Sequence, residues 1–596
     1  MTSLILNRRD IDFMLYEWLE VEQLCSLPRY QDHSRETFDA VLDLCQQMAT
    51  EHFATHNKKN DSHEPWFDGE TVHMIPEVKQ ALDVFAAAGL VAAGQDYELG
   101  GMQLPTLVEK ACFAWFLAAN VGTAAYPFLS IGNANLLLTY GTQQQIDTWV
   151  RPMMDGRFFG TMCLSEPQAG SSLADIRTRA EPQDDGSYRL FGNKMWISGG
   201  EHSLSQNIVH LVLARVPGAP AGVKGISLFL VPRQLLDDQG NVAGRNDVVL
   251  AGLNHKMGYR GTTNTLLNFG EGKFTPGGKA GAVGWLVGEL NKGLSCMFHM
   301  MNEARIGVGL GAAALGYTGY LHALDYARQR RQGRALSNKD PLSDPVPLIA
   351  HADVRRMLLA QKAYVEGGLG LNLYCARLVD EQRHALDEDL DRLTLLLDML
   401  TPIAKSWPSQ WCLEANNLAI QVHGGYGYTR DYNVEQFYRD NRLNPIHEGT
   451  HGIQALDLLG RKVVMQDGAG LDALVQRMQQ TSARASTLAG LSDFAAQLDA
   501  AIFRLCDVTR QLHGAGHAEL TLANASVYLE TMGHIVVAWT WLEQMLVAHG
   551  REEDFYRGKM QAGQYFFNWE LPKAAPWLTL LADLDTTCLH MQDRWF

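Results

Sequence analysis

The chain has 596 residues, which is too long for one hydrophobic core and predicts about three or four domains. Its formal net charge of −16 argues against non-specific nucleic-acid binding, because that binding needs a basic face. The nine cysteines are scattered and contain no C-x-x-C pair, which is typical of a reducing compartment, so we expect a cytoplasmic protein.

The N-terminal stretch predicts no signal peptide. Asp10, Glu17 and Glu20 interrupt its apolar residues. We also expect no integral membrane segment, because we identify no run of about 18 uncharged apolar residues. An amphipathic N-terminal helix that lies on a membrane surface is the alternative.

Residues 1–157 are predicted to form an N-terminal helical domain. Phe38, Val41, Leu42 and Cys45 follow the spacing of one helix face. A stripe of this kind buries an amphipathic helix against a core.

Residues 158–275 differ in character and are predicted to form a β domain inserted between helical ones. Short apolar or β-branched runs bounded by Gly, Pro or Asn are typical of strands, and they occur at 208–213, 226–231 and 265–269. The segments 188–191 and 195–198, separated by Gly192-Asn193-Lys194, predict a hairpin. The glycine-rich stretch 270–284 predicts a connector.

Residues 282–465 are predicted to form a C-terminal helical bundle, and residues 466–596 a helical extension. Gly307-Val308-Gly309-Leu310-Gly311 suggests a dinucleotide-binding loop, but no convincing strand precedes it and its spacing fails G-x-G-x-x-G. We interpret these glycines as small residues for close helix packing. The predicted fold is therefore mainly α with an inserted β domain.

The stretch His447-Glu448-Gly449-Thr450-His451 is compatible with two different chemistries. It matches H-E-x-x-H, the zinc-peptidase pattern, in which histidines four apart on one helix share a metal. Pro445 just upstream and the glycine inside the motif disfavour a continuous helix. The apolar helical pattern begins only at Ile453. We therefore predict that Glu448 lies in a turn before a helix, that Thr450 lies near the helix N-terminus, and that no metal binds there.

Five separated segments resemble the signatures of the acyl-CoA dehydrogenase family, in the family's order across about residues 160–460. They are Cys163-Leu164-Ser165-Glu166-Pro167-Gln168-Ala169-Gly170-Ser171, Gly192-Asn193-Lys194-Met195-Trp196-Ile197-Ser198, Arg305 with the helix end Tyr326 to Gly333, Gln421-Val422-His423-Gly424-Gly425-Tyr426-Gly427-Tyr428, and Glu448-Gly449-Thr450. Each segment alone is a weak signal, whereas five in order are strong. The length and the helical extension resemble the extended subgroup that includes 3-methylmercaptopropionyl-CoA dehydrogenases.

The resemblance implies a helical domain, a β-barrel domain, a four-helix bundle and the added helical extension. It implies FAD-dependent α,β-dehydrogenation of an acyl-CoA to the 2-enoyl-CoA, as in fatty-acid β-oxidation, with electrons passed to an electron-transfer flavoprotein. Glu448 would be the catalytic base, hydride would pass to flavin N5, and the backbone N–H of Glu448 would be one oxyanion donor. Burial should raise the pKa of Glu448 towards neutrality.

The same resemblance assigns the cofactor and substrate residues. Trp196 would cover the isoalloxazine ring, with a core aromatic as the alternative, and Ser198 would bond near N5. Arg330 and Gln332 would reach the FAD pyrophosphate across a subunit interface, which implies a homodimer or a dimer of dimers, although a solvated helix end is the alternative for Arg330. The other flavin positions are Met162, Leu164, Ser165, Ser171, Gln421, Gly425 and Thr450. The substrate positions are Ser171, Asn302 and Arg305, with an ion pair to another helix as the alternative for Arg305.

The sequence departs from the family pattern at three places. Ser172 stands where the first signature usually has Asp, the Phe that usually precedes the helix-end glycine is missing before Gly333, and Gly452 replaces a frequent Gln. These changes concern individual FAD contacts more than the base, because Glu448-Gly449-Thr450 is intact.

Three other functions remain compatible with the sequence. An acyl-CoA oxidase would use the same base with dioxygen as the electron acceptor. A zinc metallopeptidase would use His447 and His451 as ligands. A flavin-bearing relative that binds nucleic acid is the non-enzyme alternative, against which the acidic C-terminal segment argues.

Overall fold

The computed structural model describes residues 3–338 and 340–596. The chain divides into two compact units. One contains Met1–Arg35, Thr106–Ala114 and Arg305–Phe596, and the other contains Glu36–Pro105 and Trp115–Ala304. Both units are discontinuous in sequence, and the four consecutive domains stay a prediction.

The first 157 residues are mainly helical. Their α-helices are α1 (Arg8–Asp12), α2 (Arg35–Met48), α3 (Asn57–Ser62), α4 (Pro76–Ala87), α5 (Thr106–Tyr140), α6 (Gln143–Gln145) and α7 (Arg151–Met154). The predicted stripe on α2 is buried at all four positions, Phe38, Val41, Leu42 and Cys45. A short antiparallel pair, β1 (Trp66–Phe67) and β2 (Val72–His73), lies between α3 and α4 in the sequence and has no counterpart in the sequence prediction.

Helix α5 corrects the expectation that no segment is long and apolar enough to cross a membrane. Within the described part of the chain it is the one helix that passes this test by length and composition, and 89% of its most apolar 18-residue window is buried inside the protein. Scattered uncharged polar residues such as Asn120 and Asn133 conceal this run in the sequence. A helix that is apolar and buried in this way fits the core of a globular protein.

The predicted β domain forms an eight-stranded sheet. Its strands, together with a separate pair made by β8 and β9, are β3 (Phe158–Cys163), β4 (Arg179–Pro182), β5 (Tyr188–Ser198), β6 (Asn207–Arg215), β7 (Ile226–Pro232), β8 (Gln234–Leu236), β9 (Val242–Arg245), β10 (Val248–Leu253), β11 (Asn264–Phe269) and β12 (Ala282–Val287). The order in the large sheet is β10-β11-β5-β12-β7-β6-β3, and β4 pairs with β5 and β6. The apolar runs of β6 and β7 are buried along nearly their whole length, as expected for strands covered on both faces.

Two local predictions in this region are wrong. The predicted hairpin is one strand, because Asn193 and Lys194 continue the antiparallel ladder of β5 with Asn268 and Leu267 instead of turning. The predicted connector contains β12, which lies between β5 and β7 inside the sheet. Its glycines allow close approach, since a Cβ at Gly284 would lie 2.8 Å from the Val231 side chain.

The chain after β12 is helical. It contains α8 (Gly293–Gln329), α9 (Ala352–Gln382), α10 (Asp387–His423), α11 (Val434–Asn441), α12 (His451–Gly460), α13 (Ala469–Ser486), α14 (Ser492–Gly514), α15 (Ala518–Leu522), α16 (Ala525–Ala548), α17 (Asp554–Tyr565), α18 (Ala574–Ala582) and α19 (Thr587–His590). The fold is therefore mainly α with an inserted β domain and a C-terminal helical extension, as predicted.

The glycine-rich segment of α8 serves close helix packing, as predicted. A Cβ at Gly309 would lie 1.8 Å from the Ala404 carbonyl oxygen of α10, and one at Gly316 would lie 2.8 Å from the Cys412 side chain. Neither position tolerates a side chain unless the helices move apart.

Candidate active site

Glu448 lies in a turn directly before α12, as predicted. Its backbone φ is +54°, and that of Gly449 is +85°, so two successive residues adopt left-handed conformations. Thr450 caps the helix, because its Oγ1 accepts a hydrogen bond of 3.3 Å from the Ile453 backbone N–H. A glutamate in this conformation costs of the order of 1–3 kcal/mol and persists only when its surroundings hold it.

The H-E-x-x-H match does not have the geometry of a zinc site. His447 precedes the helix and His451 is its first residue, so the two do not follow one another on a helix face. His447 Nε2 lies 3.0 Å from Asn444 Oδ1, while His451 Nε2 lies 3.0 Å from a Glu530 carboxylate oxygen. The two imidazoles therefore have different partners.

A buried lysine holds the turn from the side of α10. Lys405 Nζ donates hydrogen bonds of 2.7 Å to the backbone oxygens of Asn444 and Gly449, which flank Glu448. Burial lowers the pKa of Lys405 to about 7, although the Glu448 carboxylate opposes this change. Burial also disfavours the charged form of Glu448 and so raises its pKa. The nearby cations Lys405 and Arg305 lower that pKa, but their effect is smaller. The pKa of the Glu448 carboxyl therefore lies above that of a solvated glutamate.

Arg305 makes the ion pair that the sequence leaves open as an alternative to substrate binding. Its Nη1 lies 3.0 Å from Asp457 Oδ2 of α12, and both side chains are at most one-tenth exposed. Asp457 also pairs with Arg461. The role of Arg305 in binding substrate stays a prediction, as does that of Asn302, which is partly buried on α8.

The structure brings together the first two signature segments. Met195 of β5 donates its backbone N–H to the Ser165 carbonyl at 3.0 Å. Lys194 Nζ donates to the Leu164 carbonyl and to Glu166 Oε1, each at 2.9 Å. The segment after β3 is thus fastened to β5 beside the predicted flavin residues. Met162, Leu164 and Ser165 are partly buried there, and Ser171 is exposed.

Trp196 and Ser198, which the sequence predicts to contact a flavin, are both at least partly accessible to solvent. Trp196 has a φ of +66° and is 61% exposed, which is unusual for so large an apolar side chain. The core-aromatic alternative for Trp196 is therefore wrong. Ser198 lies two residues further along β5, and its Oγ is 3.4 Å from Asn264 Nδ2. An exposed indole two residues from a partly buried hydroxyl on the same strand is compatible with contact to a flat heteroaromatic ring.

The third and fourth signature segments also meet. The Arg330 guanidinium lies 6.0 Å from the centre of the Tyr426 ring, and the Tyr326 and His423 rings stack at 4.3 Å. Arg330, Gln332, Gln421 and Gly425 are exposed. A Cβ at Gly425 would meet no atom within 4 Å, so space lies open above this loop. An exposed cation beside an open glycine loop fits the pyrophosphate and adenosine parts of FAD.

The sequence prediction missed several polar residues around these segments. Lys405 is fully buried, and lysine is rarely buried without partners. Its position inside the mainly apolar stretch 399–407 is the sequence signal that could have identified it. Glu166 and Lys194 form an ion pair with both side chains almost fully buried. Glu530 lies in the C-terminal extension, where no motif marks it.

Comparison with known proteins identifies the class. Residues 161–271 match the acyl-CoA dehydrogenase middle domain, residues 291–463 match the acyl-CoA dehydrogenase C-terminal domain, and residues 474–592 match the "Acetyl-CoA dehydrogenase C-terminal like" domain. The chain belongs to the acyl-CoA dehydrogenase family. It is therefore an oxidoreductase, and FAD is the cofactor of this family.

Its relatives include members of the extended subgroup. The chain is 37% identical to the 3-methylmercaptopropionyl-CoA dehydrogenase of Ruegeria pomeroyi over 77% of its length and 76% of that relative. It is 32% identical to a broad-specificity linear acyl-CoA dehydrogenase of Mycobacterium tuberculosis, with 99% of each chain covered. Among solved structures, an acyl-CoA dehydrogenase of Bacillus anthracis complexed with FAD has the same fold, with a TM-score of 0.74 at 18% identity over 92% of this chain and 88% of that one.

Proposed function

We propose that the protein converts an acyl-CoA to the 2-enoyl-CoA with Glu448 as the base. The Glu448 carboxylate takes a proton from Cα of the thioester, and the electron pair of that C–H bond becomes part of the Cα=Cβ double bond. Bound FAD would supply the acceptor, at N5, for the hydride that leaves Cβ, and Trp196 and Ser198 are the residues that would hold its isoalloxazine ring. The products are the enoyl-CoA, a protonated Glu448 and one hydride, a hydrogen with two electrons, which the cofactor would carry.

The environment of Glu448 supports this assignment most directly. Burial raises the pKa of this carboxyl, so the ionised form is a stronger base than a solvated glutamate. The Lys405 contacts to Asn444 and Gly449 hold the turn on both sides of Glu448. A base fixed in this way loses little entropy when it reaches a weakly acidic C–H group.

Replacement of the base gives the decisive experiment. Glu448→Gln keeps the size and hydrogen-bonding capacity of the side chain but removes proton acceptance. General-base catalysis contributes about 10²–10⁴-fold, so the rate at which an acyl-CoA bleaches the flavin absorption should fall at least about 100-fold. Stopped-flow absorbance under anaerobic conditions measures this rate, and FAD content should match that of the unaltered protein.

Three variants serve as comparisons for that experiment. Glu519→Gln changes an exposed carboxylate of α15 and should leave the rate unchanged. His447→Ala and His451→Ala should each lose far less activity than Glu448→Gln, since neither imidazole is a ligand or the base. Near wild-type flavin reduction by Glu448→Gln would show that another group is the base.

The reduced cofactor needs an electron acceptor, and we propose an electron-transfer flavoprotein. Turnover supported by dioxygen alone would identify an acyl-CoA oxidase instead. We further propose that the protein is a homodimer or a dimer of dimers, on the basis of the exposed Arg330 and Gln332. We place it in the cytoplasm, in agreement with its nine free cysteines.

A further inference from the structure

The first residue of α12 contacts the C-terminal extension. His451 Nε2 lies 3.0 Å from Glu530 Oε1 of helix α16, and α12 packs along α16. No cofactor or substrate signature lies in the sequence around Glu530. The contact therefore joins a segment without catalytic motifs to the helix that follows the proposed base.

His451 also closes the turn that carries Glu448. Its backbone N–H donates a hydrogen bond of 3.1 Å to the Pro445 carbonyl, so the chain between these two residues forms a closed loop with Glu448 in its middle. A displacement of His451 would move both the end of this loop and the start of α12. Because Glu448 and Gly449 are left-handed, the loop depends on such anchors to keep its shape.

Glu530 is itself held in place. Its Oε2 accepts a hydrogen bond of 2.8 Å from Trp411 Nε1 of α10, the helix that also supplies Lys405. Burial tends to raise the pKa of Glu530, but the hydrogen bonds from His451 and Trp411 keep it below its ordinary value. The carboxylate is thus ionised and accepts from two elements at once.

We propose that Glu530 is a positioning residue for the dehydrogenation: through His451 it holds the turn that aims Glu448 at the substrate. This inference rests on the proposed function, in which Glu448 is the base. It gives the C-terminal extension a part in the reaction, because a base displaced by about 1 Å can lose as much as about 100-fold in rate.

The test separates rate from binding. Glu530→Leu and His451→Leu should each slow flavin reduction by a saturating acyl-CoA about tenfold, which is far less than the loss expected for Glu448→Gln, with the KM for the acyl-CoA unchanged. The double variant should be no slower than either single variant, because both remove the same contact. His451→Gln places an amide donor near the same carboxylate and should recover much of the rate.

Glu543→Leu is the matched control for a purely structural effect. Glu543 lies on the same helix, pairs with Arg484, and its side chain is 11% exposed compared with 18% for Glu530. Its substitution should lower the melting temperature by an amount similar to that of Glu530→Leu but leave the rate of flavin reduction unchanged.

The possible outcomes are distinguishable. Wild-type rates in Glu530→Leu and His451→Leu, with Glu448→Gln inactive, overturn the positioning role and leave the base intact. Equal losses in Glu530→Leu and Glu543→Leu also overturn it, since general destabilisation would then explain both. If Glu530→Leu does not fold, the partly exposed His451 decides, through the comparison of His451→Leu with His451→Gln. An active Glu448→Gln refutes the proposed base itself.

Discussion

Glu448 and Trp196 share an unusual backbone conformation, with φ values of +54° and +66°. Left-handed conformations are uncommon for residues other than glycine, and most so for bulky ones. Strain of this kind clusters at functional sites, where the surrounding structure holds it. Both residues were singled out from sequence motifs alone, so the backbone strain is independent support for a functional role at each position.

Removal of the Lys405 charge should move the pH dependence of the reaction. The cation lowers the pKa of Glu448, so Lys405→Gln, which keeps a donor but no charge, should raise that pKa. Since the base must be ionised, the acidic limb of the rate profile should move to higher pH. If the acid dissociation constant of Glu448 falls about tenfold, its ionised fraction on the acidic limb, and therefore the rate there, also falls about tenfold.

The pKa of Lys405 sets the range in which this effect appears. Because that pKa is about 7, the side chain is charged below neutral pH and largely neutral above it. The rates of Lys405→Gln and the wild type should therefore diverge below about pH 7 and converge above it. Flavin-reduction rates measured from about pH 5.5 to about pH 9 test this, and an unchanged acidic limb would contradict an electrostatic role for Lys405.

At the scale of elements, the Glu166–Lys194 ion pair links the chain after β3 to β5. Glu166 also accepts hydrogen bonds from the backbone N–H groups of Arg177 and Thr178, at 2.7 and 3.0 Å. Burial would raise the pKa of Glu166, but Lys194, the Thr178 hydroxyl and the Arg177 N–H lower it to about 2. Lys194→Met leaves a buried carboxylate without its cation and should cost about 3–5 kcal/mol of unfolding free energy.

Two further variants test that explanation in denaturant unfolding. Glu166→Leu combined with Lys194→Met removes both charges and should recover part of the stability, since no unpaired charge remains. Arg179→Ala removes an exposed cation paired with Glu181 and should have little effect. If Lys194→Met is as stable as Arg179→Ala, the buried pair does not fasten these elements together.

At the scale of the whole molecule, we expect the retention of FAD to depend on the association of subunits, because Arg330 is exposed. Sedimentation should show a dimer or tetramer, and Arg330→Ala should release FAD more readily on dilution because a bidentate phosphate contact is lost. Arg328→Ala changes an exposed arginine on the last turn of α8, two residues before Arg330, and is the charge-matched control. A monomer with full flavin occupancy would contradict the role across a subunit interface.

The sequence by itself determined the features encoded within a few neighbouring residues. Pro445, Gly449 and Thr450 predicted a turn and a helix start, and the structure has both there. The apolar runs predicted β6 and β7, and the small residues of α8 predicted close packing. Turn chemistry and hydrophobic periodicity are local, so these parts of the fold and the order of the signature segments could be determined without coordinates.

Only the tertiary structure decided which distant groups meet. Lys405 binds carbonyl groups 39 and 44 residues away, and no local pattern marks those acceptors as its partners. The contacts of Glu530 with His451 and Trp411 and the Arg305–Asp457 pair have the same origin. Pairing with β11 overrode the turn signals of Gly192 and Asn193 in β5, and pairing with β5 overrode that of Gly284 in β12. Packing of whole elements fixes such contacts, because a buried polar group must find a partner wherever the fold places one.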